Sequence, residues 1–211
     1  MKVCEIFRSI QGESTYAGIP CTFIRLTGCN LRCSYCDTRY AYYEGNEISE
    51  EDIIKQVKSA GINLVEITGG EPILQKEVYH LIERMLNDNY KVLIETNGSL
   101  SIKEIDRRAV IILDIKTPGS GMSGKMDMSN LNVIKNIDEV KFVITNKIDY
   151  EWSKDIMNKY NLFDRCNILV SPAYGILKPE DLAGWMIEDG LKVRLNLQIH
   201  NYIFGSGRRG I

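Results

Sequence analysis

No run of about eighteen apolar residues occurs anywhere in this 211-residue chain, so a membrane-spanning helix is not expected. Charge of one sign is lacking too. The 26 Lys and Arg nearly balance 28 Asp and Glu, and the net charge of -2 offers no global field for nucleic acid or an anionic membrane. The basic pair Arg208-Arg209 is too short to alter that. The opening residues, Met1-Lys2-Val3-Cys4-Glu5, lack an apolar stretch with a small-residue cleavage site, so no signal peptide is expected and the chain is expected in the cytoplasm. Low-complexity tracts, fixed-period repeats and long linkers rich in Pro, Gly and Ser are also missing, which leaves residues 1–211 as one expected domain. Histidine is scarce, with only His80 and His200. Cysteine is not: there are six. In a reducing compartment a tight cysteine cluster reads as metal-binding or catalytic before it reads as disulfides.

Apolar, β-branched runs alternate with longer amphipathic ones. Strands are predicted over Cys21–Leu26, Leu64–Ile67, Lys91–Ile94, Val110–Leu113, Val140–Ile144, Ile168–Val170 and Val193–Leu197. A helix is predicted over Glu50–Ser59 with Ser49 as N-cap, and another over Lys76–Leu86, whose apolar residues fall at helical spacing. This alternation predicts a parallel α/β sheet. Polar and glycine-rich clusters follow the strands: Thr68-Gly69-Gly70-Glu71-Pro72, Glu95-Thr96-Asn97-Gly98, Asp114-Ile115-Lys116 and Ser171-Pro172. In parallel barrels that rim carries the active site. The length is short for eight strands, so a partial, open (β/α) barrel is expected.

Gly28-Cys29-Asn30-Leu31-Arg32-Cys33-Ser34-Tyr35-Cys36-Asp37-Thr38 places three cysteines at spacing C-x3-C-x2-C. Thiolates suit iron–sulfur clusters or zinc. A [4Fe-4S] cube usually takes four cysteines, so three leave one iron open to a small molecule. The alternative is a zinc site completed by Cys4, Cys21, Cys166, His80 or His200, although no second cysteine pair exists to complete it in the usual way. The three isolated cysteines sit in or beside apolar runs and read as small core hydrophobes.

The C-x3-C-x-aromatic-C loop followed by Gly69-Gly70-Glu71-Pro72 resembles the radical S-adenosylmethionine superfamily. The flanks resemble one family within it, the 7-carboxy-7-deazaguanine synthases. These are Phe7-Arg8-Ser9-Ile10-Gln11-Gly12-Glu13-Ser14, Phe23-Ile24-Arg25-Leu26-Thr27-Gly28, Cys36-Asp37-Thr38 and Gln198-Ile199-His200. An alternative within radical chemistry, an enzyme that activates a glycine of a partner protein, has no evident use for Gln11-Gly12-Glu13 and Arg25. The resemblance implies a fold of the radical S-adenosylmethionine type, the cofactors [4Fe-4S], S-adenosylmethionine and Mg2+, and ring contraction of 6-carboxy-5,6,7,8-tetrahydropterin with loss of ammonia. It further implies an electron donor such as flavodoxin or ferredoxin, a homodimer, and no direct contact with nucleic acid or membrane.

Carried to this sequence, the resemblance makes Cys29, Cys33 and Cys36 the cluster ligands and Thr38 a Mg2+ ligand. Substrate contacts are expected from Ile10, Gln11, Gly12, Glu13, Arg25, Thr68 and His200. Arg25 offers a planar fork for a carboxylate. Tyr35, Asp37, Gly70, Glu71, Asp114, Lys116, Ser171, Ala173 and Tyr174 are expected around S-adenosylmethionine, with the Glu71 carboxylate accepting from its ammonium group. Two departures stand out: Tyr35 where many members carry Trp, and Asn201 where many carry Lys.

Overall fold

The computed structural model describes residues 1–210. Strands β1 (Lys2–Ile10), β2 (Pro20–Leu26), β3 (Asn46–Glu47), β4 (Leu64–Gly69), β5 (Lys91–Thr96), β6 (Val110–Ile115), β7 (Glu139–Ile144), β8 (Asn167–Pro172) and β9 (Arg194–Leu195) form one sheet. Its order is β3-β1-β2-β4-β5-β6-β7-β8-β9. From β2 to β9 every neighbouring pair is parallel, while β1 and β3 add an antiparallel edge. The predicted parallel sheet is present, and β1 extends it. That strand was not predicted from sequence, because a charge at every third position (Lys2, Glu5, Arg8) interrupts its apolar residues.

The α-helices are α1 (Glu50–Ala60), α2 (Val78–Asn87), α3 (Lys147–Lys159), α4 (Pro179–Glu188) and α5 (Ile199–Phe204), with short 3-10 turns between elements. Ser49 caps α1 as predicted, its hydroxyl accepting from Asp52 N at 3.1 Å. His80 stands on the exposed side of α2 and meets Glu50 at 2.7 Å. The crossovers from β5 to β6 and from β6 to β7 contain no α-helix; turns do the covering, with Ile102, Ile105 and Leu131 buried. The predicted last strand contracts to Arg194–Leu195, and His200 falls in the first turn of α5. No described helix is long and apolar enough to cross a membrane.

Strand parity explains the two interiors. Val65 and Ile67, Val92 and Ile94, Leu113 and Ile115, and Phe142 and Ile144 point outward and pack against the helical layer. Each such fully buried side chain contributes about 1.5–3 kcal/mol. Residues of the other parity face into the barrel. At one end these are Cys21, Leu64, Leu93, Val110 and Ile112, an apolar plug that Tyr16 and Phe23 complete. Further along these strands the inward residues become Arg25, Glu66, Thr68, Glu95 and Asp114, and Lys141 and Ser171 join them from β7 and β8. On β2, β4, β5 and β6 the barrel interior therefore changes from apolar floor to polar cavity within two residues.

The loop from Gln11 to Gly18 spans the barrel's open side. It belongs to the β1–β2 edge yet bonds to the opposite edge: Ser14 N donates to Asn196 Oδ1 at 2.8 Å, Thr15 N to Glu139 at 3.1 Å, and Ile199 N to Gly12 O at 2.9 Å. Ser14 takes a positive φ of 63° to make this bridge.

Candidate active site

A cavity of about 390 Å³ opens at the C-terminal ends of the parallel strands. Every expected site residue lines it except Glu71. This volume lies in the ordinary range for small-molecule sites.

One wall is the cysteine loop. Arg32 Nη1 donates to Cys29 O at 2.8 Å within the loop, and Arg39 Nη2 to Ser34 O at 2.8 Å and Ser34 N to Ser120 O at 3.0 Å brace it from outside. The glycine-rich turn after β4 packs directly behind it. Glu71 N donates to Gly28 O at 2.7 Å. A Cβ on Gly70 would lie 2.0 Å from Gly28 O and 2.8 Å from Cys29 Cβ, so only glycine lets the two loops touch. Burial holds the Cys29 and Cys33 thiols above the usual cysteine range, so ligating a metal there would displace protons. Among the described residues no three His, Cys, Asp or Glu side chains converge closely enough to chelate one ion. Thiolates on three corners of an iron–sulfur cube stand farther apart than the ligands of one tetrahedral zinc. Of the other donors of the zinc alternative, Cys21 lies in the apolar floor and His80 on the far side of the helical layer, while His200 lines the cavity.

The Glu71 expectation is corrected. Its carboxylate is fully buried behind the glycine turn and accepts from Thr96 Oγ1 at 2.7 Å, Asn97 N at 2.7 Å and Ile73 N at 3.2 Å. Burial pushes it up to about 7 despite those bonds. Glu71 joins the ends of β4 and β5 and does not face the cavity. The Pro72 ring that follows starts a short 3-10 turn, and Glu71 caps that turn with its own side chain.

A second wall carries the charges. Glu5 and Arg25 are direct partners across β1 and β2, and Arg25 pairs with Thr68 across β2 and β4. Arg25 Nε donates to Glu5 Oε1 at 2.8 Å, and the same oxygen accepts from Tyr40 Oη at 2.8 Å. The Arg25 guanidinium also lies over the Phe7 and Tyr40 rings. Its terminal nitrogens have no hydrogen-bond partner among the described residues, so the fork is aimed and free. The Thr68 hydroxyl donates to Glu95 Oε2 at 3.2 Å.

Between the apolar floor and the cavity lies a buried ionic network, of which sequence reasoning missed Lys141 and Glu66. Lys141 is the register partner of Asp114 across β6 and β7. Its ammonium donates to Glu13 Oε2 at 3.0 Å, forms a short contact with Glu95, and lies 3.5 Å from Asp114. Burial raises the Glu13 carboxyl, but Lys141 and the Gln198 amide at 2.9 Å outweigh it and bring Glu13 to about 2. Gln11 accepts from Glu13 N at 2.6 Å and donates to Glu66 in a short bond. Burial, with Glu95 adding repulsion, holds Glu66 well above the carboxylate range. Charged residues inside otherwise apolar β-branched runs, as in Leu64-Val65-Glu66-Ile67 and Val140-Lys141-Phe142-Val143, were the available signal.

On the remaining side, the Lys116 ammonium donates to Asp114 Oδ2 at 2.7 Å and sits over the Tyr35 ring. Asp114 Oδ1, Tyr35 Oη and Ser9 Oγ are buried without a partner. Buried polar atoms are nearly always paired, so three orphans around one cavity fit a bound polar molecule. Ser171, Ala173 and the exposed Tyr174 follow at the end of β8. Thr38 Oγ1 donates to Asp37 Oδ1 at 2.7 Å. His200 lies against Gly12, where any side chain would strike its ring. Asn201 donates to Gln198 Oε1 at 2.9 Å, steadying the amide that holds Glu13. The tail from Phe204 to Gly210 also lines the cavity, with Arg209 stacked on Tyr40 at 3.6 Å and paired with Glu44 at 2.7 Å.

A partial barrel with three thiols at its mouth and a glycine-rich turn behind them is the architecture of the radical S-adenosylmethionine class. The family model described as the Radical SAM superfamily matches residues 23–119. The crystal structure of QueE from Escherichia coli superposes with a TM-score of 0.76 over 93% of each chain, at 21% identity, and so shares the fold. Two curated relatives named 7-carboxy-7-deazaguanine synthase are similar along their whole length. That of Koribacter versatilis is 42% identical over 100% of both chains, and that of Chlorobaculum tepidum 39% identical over 100% of this chain and 97% of its own. The chain belongs to the 7-carboxy-7-deazaguanine synthase family.

Proposed function

We propose that the chain, acting as a single domain, contracts 6-carboxy-5,6,7,8-tetrahydropterin to 7-carboxy-7-deazaguanine with loss of ammonia, a step of 7-deazapurine and queuosine biosynthesis. The observation that carries this reading is the pairing, in one cavity, of three thiols with a recognition set for a flat anionic heterocycle. Cys29, Cys33 and Cys36 would hold a [4Fe-4S] cluster, with S-adenosylmethionine against Tyr35, Asp37, Gly70, Asp114, Lys116, Ser171, Ala173 and Tyr174. The orphaned Tyr35 Oη and Asp114 Oδ1 support a polar ligand there. Reduced cluster and bound cofactor together supply the one-electron chemistry that starts a radical reaction.

The chain's own residues bind and orient. Arg25, held through Nε alone, presents its two terminal nitrogens to the substrate carboxylate. Glu13, kept anionic by Lys141, accepts from N-H groups of the pterin edge. Gln11, Ile10 and Gly12 offer further edge contacts, and Thr68 and His200 flank the ring. Mg2+ is proposed at Thr38. Its hydroxyl donates a hydrogen bond to Asp37, which leaves its lone pairs for a cation, and substrate oxygens and water would supply the remaining ligands. We further propose a cytoplasmic setting that keeps the thiols reduced, a flavodoxin or ferredoxin as electron donor, and a homodimer.

The test is anaerobic incubation of reduced, iron-loaded protein with the carboxytetrahydropterin, S-adenosylmethionine and Mg2+, followed by mass analysis. The deazaguanine carboxylate is expected. Thr38→Ala should lose the Mg2+ stimulation and Thr38→Ser should keep much of it. Cofactor cleavage with the pterin recovered unchanged would overturn the substrate assignment.

A further inference from the structure

We propose that Asn97 tunes the reduction potential of the cluster by donating a side-chain N-H to the Cys29 sulfur. The inference rests on the reading of Cys29 as a cluster ligand and assigns a role to a residue outside the ligand loop.

The geometry is over-determined. Asn97 directly follows β5, is only 6% exposed and lines the cavity. Its backbone N is fixed by Glu71 Oε2 at 2.7 Å. Its carboxamide cannot be turned round, because Oδ1 accepts from Ser99 N at 2.9 Å. Nδ2 must then face the cysteine loop, where it meets Asn30 Oδ1 at 3.2 Å and Cys29 Sγ at 3.8 Å. An amide nitrogen has two hydrogens, one for each partner. Cys29 Sγ also accepts from Leu31 N at 3.4 Å. Asn30 is held in turn, its Nδ2 donating to Ser99 Oγ at 2.8 Å. This is the corner where the glycine-rich turn touches the cysteine loop.

Donors to ligand sulfurs stabilise the reduced, more negative state of an iron–sulfur cluster and so raise its potential. A residue that merely braced Asn30 and Ser99 would leave the potential unchanged. The variants are Asn97→Ala, which removes the donor, and Asn97→Asp, which keeps the shape but puts a carboxylate beside the sulfur.

The measurement is an EPR-monitored redox titration of the iron-loaded protein. We expect the equilibrium constant for one-electron reduction to fall roughly tenfold in Asn97→Ala, a hydrogen bond's worth. That is about 59 mV to more negative potential, and Asn97→Asp should shift further. Unchanged potentials at matching iron content would overturn the proposal. A second measurement needs no variant: pulsed EPR on reduced wild-type protein labelled with 15N in the asparagine side chain. A side-chain nitrogen coupled to the cluster is expected, and its absence would overturn the proposal whether or not the variants take up iron. Wild-type protein without iron or an EPR signal would instead overturn the cluster assignment, and this inference with it.

Discussion

Replacing Lys141 by Met tests whether the buried network governs both the stability and the charge state of the site. Lys141 is 5% exposed, and methionine fills nearly the same space without the charge. The ammonium faces Glu13 at 3.0 Å and Asp114 at 3.5 Å, with Glu95 in closer contact. At an effective dielectric constant of ~20, a pair 3.0 Å apart attracts by about 5 kcal/mol, much of which offsets desolvation. Breaking a buried pair from one side costs about 3–5 kcal/mol, because the partner charge is stranded. Glu13 and Glu95 are left without a cation here, while Asp114 keeps Lys116, so Lys141→Met should lose at least that much at neutral pH by urea denaturation. The sign of the pH effect follows. In the wild type Glu13 sits at about 2, below its ordinary 4.5, so it stabilises the fold above 4.5 and loses that contribution as pH falls toward 2. Without Lys141 the same carboxyl should rise above 4.5, bind its proton more tightly folded than unfolded, and restore stability as pH falls from 7 toward 5. A loss under about 1 kcal/mol, or a loss equal at pH 5 and pH 7.5, would refute the network as described.

Two further outcomes follow from single contacts. Arg25→Lys should raise the Michaelis constant for the pterin roughly ten- to a hundred-fold, the worth of a charge-assisted hydrogen bond of about 1.5–3 kcal/mol, because the one nitrogen of lysine would be taken by Glu5. Cofactor cleavage without the pterin should change little, and an unchanged constant would remove Arg25 from substrate binding. Glu71, raised from 4.5 to about 7, binds its proton more tightly in the folded state, so its contribution is full below 4.5 and falls as pH rises through 7. That loss is on the order of 3 kcal/mol. The stability gap between wild type and Glu71→Gln should therefore shrink from pH 5 to pH 8 in thermal or urea melts, and a constant gap would mean Glu71 stays ionised throughout.

The strands were legible because their outward residues are buried against helices, which leaves continuous apolar runs such as Val110–Leu113. The rim residues were legible because strand ends carry short, recognisable clusters. What stayed hidden depends on contacts distant in sequence. Glu5 and Tyr40 aim Arg25 from 20 and 15 residues away, and neither lies in a motif. The inward turn of Glu71 could not be read from Gly-Gly-Glu-Pro, since it depends on three donors, two of them at the end of β5. Strand β1 was hidden because charges interrupt its apolar residues and, with only the two-residue β3 beyond it, it is only partly buried, which blurs the alternation that marks a strand.

The loop after β1 explains why seven parallel strands, one of them two residues long, suffice. A parallel barrel closed by hydrogen-bonded strands needs a partner for each edge. Here β9 is only two residues long, and its far edge meets the Gln11–Gly18 loop in place of another strand. The bonds that seal this side are made by the residues that present the site: Glu13 to Lys141 and Gln198, Ser14 to Asn196, Gly12 to Ile199. Closure and recognition therefore depend on the same contacts. A change that loosens the seal, such as Asn196 losing its bonds to Ser14 N and Ser171 Oγ at 2.8 Å each, would also move Glu13, because Asn196 Nδ2 lies 3.4 Å from that carboxylate. In a full eight-stranded barrel the strands would hold the shape and the loops would be free to vary. In this shortened one the loop takes part of the strands' work, which ties the Gln-Gly-Glu segment to the fold as tightly as to the chemistry.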